Sequence, residues 1–207
     1  MGQAAQRPTL EFWFEFASTY SYPAAMRVED VCAAAGVALR WRPFLLGPIF
    51  AAQGWNDSPF NLYPIKGHYM WRDLERLCDA QGIPFRRPSV FPRNGLLAAR
   101  VACIGAEEGW AAEFVRGVYH ANFAEDREIA DATVVGAVLE SIRRPAGAIL
   151  ERAQEPVVKR ALRANTDEAI ARGIFGAPSA TAGSELFWGN DRLEDAVGWA
   201  RLGTPSM

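Results

Sequence analysis

Four consecutive hydroxyl side chains, Ser18, Thr19, Tyr20 and Ser21, form the densest cluster of chemically able groups in this chain. Pro23 follows, and Ala24, Ala25, Met26, Val28, Val31 and Cys32 then recur with helical spacing. Ser and Thr favour helix N-caps, and Pro is tolerated in a first turn. The hydroxyls therefore fall at a helix N-terminus. Unpaired N–H groups and the helix dipole there favour an anion, a thiolate included. A serine at such a place either donates to that anion or serves as a plain cap. A second helix start is marked by Gly189-Asn190-Asp191-Arg192, ahead of Leu193, Ala196, Val197 and Ala200. Its N–H groups can hold a carboxylate. Asp191 either accepts an ammonium group or only caps the helix, with Arg192 a solvated charge.

Other reactive types are sparse. Cys32, Cys78 and Cys103 are odd in number, far apart and set in apolar helical context. They read as small core residues in a reducing cytoplasm rather than as disulfide or metal partners. His68 and His120 are too few for a histidine-based metal site, and no metal is expected.

The elements that must position the hydroxyls begin with a strand at 10–17, where Leu10, Phe12, Phe14 and Phe16 alternate with Glu11, Trp13, Glu15 and Ala17. A helix over 21–35 ends at Gly36, and a second strand runs over 37–44. This is a parallel βαβ unit. A long loop is expected over 46–63, rich in Gly, Pro and Asn, as a candidate binding loop. A helix follows at 64–82. Pro84, Pro88 and Pro92 bar a helix over 84–94, where Arg86, Arg87 and Arg93 could meet an anionic substrate but read first as surface charge. Further helices are expected at 95–108, 110–122, 131–143 and 146–163, with a short one at 167–172. A hairpin of Ala180-Thr181 with 185–188 and a closing helix at 192–202 complete the chain.

With 207 residues, half of them apolar and 22% charged, the chain has the composition of a soluble globular protein. A net charge of −2 gives no field for nucleic acid. No apolar run is long enough to span a membrane, and the N-terminal MGQAAQRP lacks the apolar segment of a signal peptide.

Three motifs, in this order, resemble a known family: Phe-Glu-Phe-Ala-Ser-Thr-Tyr-Ser-Tyr at 14–22, Phe-Gly-Ala-Pro-Ser at 175–179, and Leu-Phe-Trp-Gly-Asn-Asp-Arg-Leu at 186–193. Pro64-Ile65-Lys66-Gly67 and Tyr69 to Leu74 fit between them. The chain resembles the thioredoxin-fold branch that holds disulfide oxidoreductases, kappa-class glutathione transferases and 2-hydroxychromene-2-carboxylate isomerases, and the isomerases most closely. The resemblance implies an α/β, thioredoxin-like fold with an all-helical insertion between the second and third strands. The thioredoxin-like part is expected at 1–45 and 165–207, and the insertion at 46–164. The disulfide oxidoreductases carry Cys-x-x-Cys where this chain has Ser18-Thr19-Tyr20-Ser21, so dithiol exchange cannot run there. The resemblance instead implies a thiol brought by glutathione.

On that resemblance Ser18 is the catalytic donor to the glutathione sulfur. Ala177–Pro178 is expected to be cis and to pair with the glutathione backbone, although a trans Pro that merely starts a strand is the local alternative. Asn61, Trp188, Gly189, Asn190, Asp191 and Arg192 are expected to hold glutathione, and Lys66 and Asn94 a substrate carboxylate. The activity implied is a glutathione-dependent cis–trans isomerase acting on a small aromatic carboxylate, in a cytoplasmic homodimer. The alternatives are a kappa-like transferase or peroxidase, and a silent thioredoxin-like module that binds peptide segments at its Ala177–Pro178 groove.

Overall fold

A computed structural model describes residues 7–202; the N-terminal stretch that lacks an apolar segment lies mostly outside them. Strand β1 (Thr9–Phe14) leads through a turn into α1 (Ser21–Ala34), which closes at Gly36 with φ +70°. Only glycine adopts that left-handed conformation without strain. Strand β2 (Ala38–Pro43) pairs parallel with β1, Phe12 opposite Trp41. After the helical segments come β3 (Ser179–Ala182), antiparallel to β1 with Ala180 opposite Phe12, and β4 (Glu185–Trp188), antiparallel to β3. The sheet order is β2-β1-β3-β4, so the sheet is assembled from both ends of the chain.

Strand β1 is covered on both faces. Leu10, Phe12, Phe14 and Phe16 join the main core, where Tyr119 and Phe114 pack against Phe16. Trp13 points the other way, into a smaller cluster with Phe44, Ile49, Ala169 and Ile174. Its indole N–H donates to Thr181 Oγ1 at 3.0 Å, which satisfies the one polar group that this burial would strand.

Between β2 and β3 run α2 (Leu46–Ala52), α3 (Pro59–Leu62), α4 (Pro64–Ala80), α5 (Leu96–Glu108), α6 (Ala111–Phe123), α7 (Ala132–Ser141), α8 (Ala146–Arg152) and α9 (Pro156–Ala171). The expected loop at 46–63 is therefore partly helical. Its prolines lie in first turns, where no N–H is needed, so they start helices rather than forbid them. Ser58 adds the cap of α3, accepting from the Phe60 N–H at 3.3 Å. The expected helix at 146–163 is two helices, because Pro156 opens α9 and drives the residue before it out of helical conformation. The expected short helix at 167–172 is the end of α9. Two polar residues in its middle do not break it, since both have partners across the fold. Asn165 donates to the Pro43 carbonyl at 3.0 Å, and Thr166 Oγ1 accepts from the Leu45 N–H at 3.2 Å. The 84–94 segment is free of helix, as its prolines require. A single 3₁₀ turn at Asn190–Arg192 leads into α10 (Leu193–Leu202).

Helices α3 and α4 meet at Gly67, where a Cβ would overlap the Phe60 carbonyl oxygen. That atom is backbone and cannot swing aside. Gly67→Ala is expected to cost about 1–3 kcal/mol by overpacking, read as a lower urea midpoint with an unchanged slope.

Candidate active site

The turn between β1 and α1 is fixed from within and from below. The Ser18 N–H donates to the Glu15 carbonyl at 3.0 Å, and the Ala17 N–H to Glu15 Oε2 at 3.0 Å. From α6, the buried Tyr119 hydroxyl donates to the Glu15 carbonyl at 2.8 Å, and Asn122 Nδ2 donates to the Phe16 carbonyl at 3.2 Å. Four bonds thus hold the three residues ahead of Ser18. The Ser18 hydroxyl accepts weakly from the Ser21 N–H at 3.4 Å and donates across to the Ala177 carbonyl at 2.8 Å. Residues 159 positions apart are thereby joined, and the peptide that follows Ala177, to Pro178, is cis.

The hydroxyls of Thr19 and Tyr20, which line the same cavity as Ser18, are held by other groups. Thr19 donates to Met70 Sδ in the core at 3.0 Å. Tyr20 donates to Asp73 at 3.1 Å, and burial followed by that carboxylate raises its pKa above the usual tyrosine range. Ser21 is buried, and its hydroxyl has no hydrogen-bond partner among the described residues.

Ser18 opens onto a cavity of about 1420 Å³, bounded by the β1–α1 turn, α2, α3, the 91–96 segment and the two ends of the β3–β4 hairpin. Ligand pockets commonly measure about 300–1,000 Å³, so this one has room for two molecules side by side. One wall is apolar: Leu46, Pro48, Phe50, Trp55 and Phe60. The opposite wall carries Phe175 against Trp188, ring centres 4.9 Å apart, with Trp188 half exposed. Gly176 passes directly under the Trp188 indole, where a Cβ would overlap Nε1. Gly189 takes φ +117° and donates its N–H to the Pro178 carbonyl at 2.9 Å, turning the chain into the 3₁₀ segment.

Within that segment Asn190 is buried. Arg27 of α1 donates to its side-chain oxygen at 3.3 Å and to its carbonyl at 2.7 Å, and Arg27 is itself paired with Glu194. Asp191 is exposed and caps no helix N–H; its carboxylate lies 3.7 Å from Arg192, which also binds Asp195 at 3.0 Å. Lys66 lines the cavity with its ammonium 4.8 Å from the Tyr63 ring centre and no ion-pair partner among the described residues. Asn94 lines it too and spends its Oδ1 on the Leu96 N–H at 2.9 Å, at the start of α5.

Asn61 is not among the lining residues. Its amide donates to Asp57 at 3.1 Å and to the Phe91 carbonyl at 3.2 Å, bracing α3 against the 91–96 wall. Ser18, Lys66, Asn94, Ala177, Pro178 and Trp188 through Arg192 all meet at the cavity.

Two cavity residues stand differently from the sequence reading. Glu15 was placed on the polar side of a strand, but its carboxyl stands half-buried on the cavity floor, where desolvation raises it from 4.5 to about 7 against the lowering pull of the Ala17 and Ser18 N–H groups. Arg93 is not surface charge: it is buried and held by Asp126 at 2.5 Å, Asn122 Oδ1 at 3.0 Å and Ser89 at 3.3 Å. Its partner lies 33 residues on, a distance no local pattern signals. No cysteine lines the cavity, and burial pushes the Cys32 thiol up to about 11 and those of Cys78 and Cys103 to about 12.

The sequence and the fold both have known counterparts. Residues 9–198 match the DSBA-like thioredoxin domain. The chain belongs to that family. Among DSBA-like relatives it is 30% identical over 197 residues to a 2-hydroxychromene-2-carboxylate isomerase of Pseudomonas putida, an alignment covering 91% of this chain and 94% of that protein. It is 27% identical over 184 residues to a glutathione S-transferase kappa 2 of Caenorhabditis elegans, covering 83% of this chain and 80% of the relative. The solved structure of a 2-hydroxychromene-2-carboxylate isomerase superposes with a TM-score of 0.82 at 26% identity, covering 92% of this chain and 94% of the other. These relatives make this DSBA-like protein one of an enzyme family of isomerases and glutathione transferases. Among its described residues no helix is long and apolar enough to cross a membrane.

Proposed function

We propose that this protein is a glutathione-dependent cis–trans isomerase acting on an aromatic carboxylate. The observation that carries the reading is the Ser18 hydroxyl set against the Ala177 carbonyl on the cavity wall, with no protein thiol beside it. Glutathione fits the residues present. Its extended backbone suits the edge at Ala177, its ammonium suits the exposed Asp191 carboxylate, and its carboxylate suits the N–H groups that follow Gly189. Trp188 would wall it, and Gly176 leaves the indole room to lie flat.

When bound, glutathione would supply a sulfur nucleophile that adds to a conjugated double bond and leaves again after rotation. The chain's own residues do the rest. On binding, Ser18 would turn its one hydroxyl proton from the Ala177 carbonyl to the sulfur, which stabilises negative charge there, aided by the N-terminus of α1, and leaves that carbonyl to the glutathione backbone. Tyr119 and Asn122 keep that hydroxyl in place by fixing the turn before it. The apolar wall at Phe50, Trp55 and Phe60 excludes water and accepts an aromatic ring, while Lys66 offers a charge for its carboxylate.

Titrating the protein with glutathione and following the ultraviolet thiolate band tests the reading, together with a screen of aromatic carboxylate isomers. Interconversion without loss of glutathione supports it. Stoichiometric consumption of glutathione would make the protein a transferase or peroxidase, and absence of binding would leave a silent thioredoxin-like module.

Gly176→Ala separates the wall from the fold. The added methyl displaces the Trp188 indole, a half-exposed side chain that can swing out, so stability should change by no more than about 0.5 kcal/mol. Glutathione affinity should fall about tenfold, equivalent to about 1.4 kcal/mol, measured by calorimetry alongside the urea midpoint.

A further inference from the structure

We propose that Glu15 is the proton acceptor of this site, taking up the proton that a bound glutathione thiol loses when it ionises beside Ser18. The inference rests on the glutathione reading and adds to it the group that balances the charge.

Glu15 lies three positions before Ser18 and lines the same cavity. Its Oε2 is tied to the Ala17 N–H at 3.0 Å, so the carboxyl is fixed to the turn that presents the serine. Its other oxygen faces the start of α5 at Gly95. None of the elements around it brings a cation to pair with it. From α6 comes Tyr119, whose hydroxyl is spent on the Glu15 backbone carbonyl and whose acidity is suppressed by burial first and by Glu15 second. From the 91–96 wall comes Arg93, which is committed to Asp126 and Asn122. The Ala177–Pro178 side contributes no charge. Burial accordingly sets the Glu15 carboxyl at about 7, the range in which an acceptor is most useful at neutral pH.

The other lining groups fit the role less well. No histidine lines the cavity. Asp57 is occupied by the Ser58 N–H and Asn61, Asp73 is paired with Arg76, and Asp191 stands in solvent at the rim. Ser18 donates and cannot accept a proton at neutral pH.

A half-buried site resists holding a carboxylate and a thiolate together, because each raises the proton affinity of the other. Proton transfer removes the conflict. The S–H bond breaks with its electron pair left on sulfur, and an O–H bond forms on the Glu15 carboxylate. The site carries one negative charge before and after. Expulsion of the thiol reverses the transfer.

The test is the number of protons released when glutathione binds slightly above neutral pH, by calorimetry in buffers of different ionisation enthalpy, with the thiolate band followed in parallel. Wild type should form thiolate while releasing close to no protons. E15Q keeps an oxygen for the Ala17 N–H, and should still form thiolate but release close to one proton per glutathione bound. Glu15→Asp should return toward the wild-type count. Equal release in wild type and E15Q, with the thiolate band present in both, overturns the role of Glu15 and leaves the glutathione reading standing. Release of a full proton by wild type overturns it without any variant. No binding to wild type overturns both.

Discussion

Ser18→Ala is expected to lower turnover by roughly 10²–10³-fold, the loss seen when a single preorganised donor to a developing anion is removed. The same substitution should abolish the thiolate band near neutral pH. A free thiol ionises at about 8.5, so most of the sulfur is protonated at neutrality unless the site intervenes. Lowering that value by two units needs about 2.7 kcal/mol of preference for the charged form, within reach of one hydroxyl donor plus a helix N-terminus. The serine also holds the Ala177 carbonyl at 2.8 Å, so some stability should be lost with it. One neutral hydrogen bond contributes about 0.5–1.5 kcal/mol, too little to unfold a domain of this size. The decisive comparison is therefore turnover and thiolate absorbance against the urea midpoint. A large fall in the first two with a small shift in the third places the sulfur at Ser18. Full thiolate formation in Ser18→Ala would reduce the serine to a cap of the turn.

The parts of this arrangement that were legible in the sequence are those written locally. The aromatic alternation of 10–16, the hydroxyl run of 18–21 and the Gly189 turn each announce themselves within a few residues. They bring Ser18 and Ala177–Pro178 together because β1 and β3 are neighbours in the sheet. What was misread depended on partners far along the chain or on one residue type with two meanings. Pro48 and Pro59 read as marks of a loop, and Pro156 is passed over inside a single helix at 146–163, yet each sits in the first turn of a helix. Asn165 and Thr166 look like the end of α9 until β2 and Leu45 supply their partners. Glu15 obeys the period of a strand that has already ended at Phe14, so its polarity suggested a solvated face where the structure has a cavity floor. Asn61 sits in the segment expected to bind, but turns its amide to Asp57 and Phe91.

Arg93→Met is expected to be among the most destabilising of these changes, by about 1–3 kcal/mol, the cost of leaving the buried Asn122 side-chain oxygen without its donor. The methionine keeps much of the volume and the apolar stem, so the loss reports the guanidinium. That group serves five acceptors at once: the Asn122 side chain and carbonyl, Ser89, and the Asp126 side chain and carbonyl. Acidity supplies a second readout. The Ser89 N–H, followed by Arg93, holds the Asp126 carboxyl at about 2 against an ordinary 3.8. A carboxyl lowered by folding stabilises the fold fully above its unfolded value of about 4. That stabilisation fades as pH falls through the interval down to about 2. Wild type should lose urea resistance over that interval, and Arg93→Met should lose less of it, since part of the linkage has gone. The consequence reaches the site through Asn122, whose oxygen binds Arg93 and whose amide binds the Phe16 carbonyl two residues before Ser18. Released from Arg93, Asn122 is free to turn, and the serine loses one of the bonds that aim it. Thiolate formation in Arg93→Met should therefore shift to higher pH even under conditions where the protein remains folded, whereas replacing an exposed arginine such as Arg72, paired with Glu75 three residues on, should change neither property.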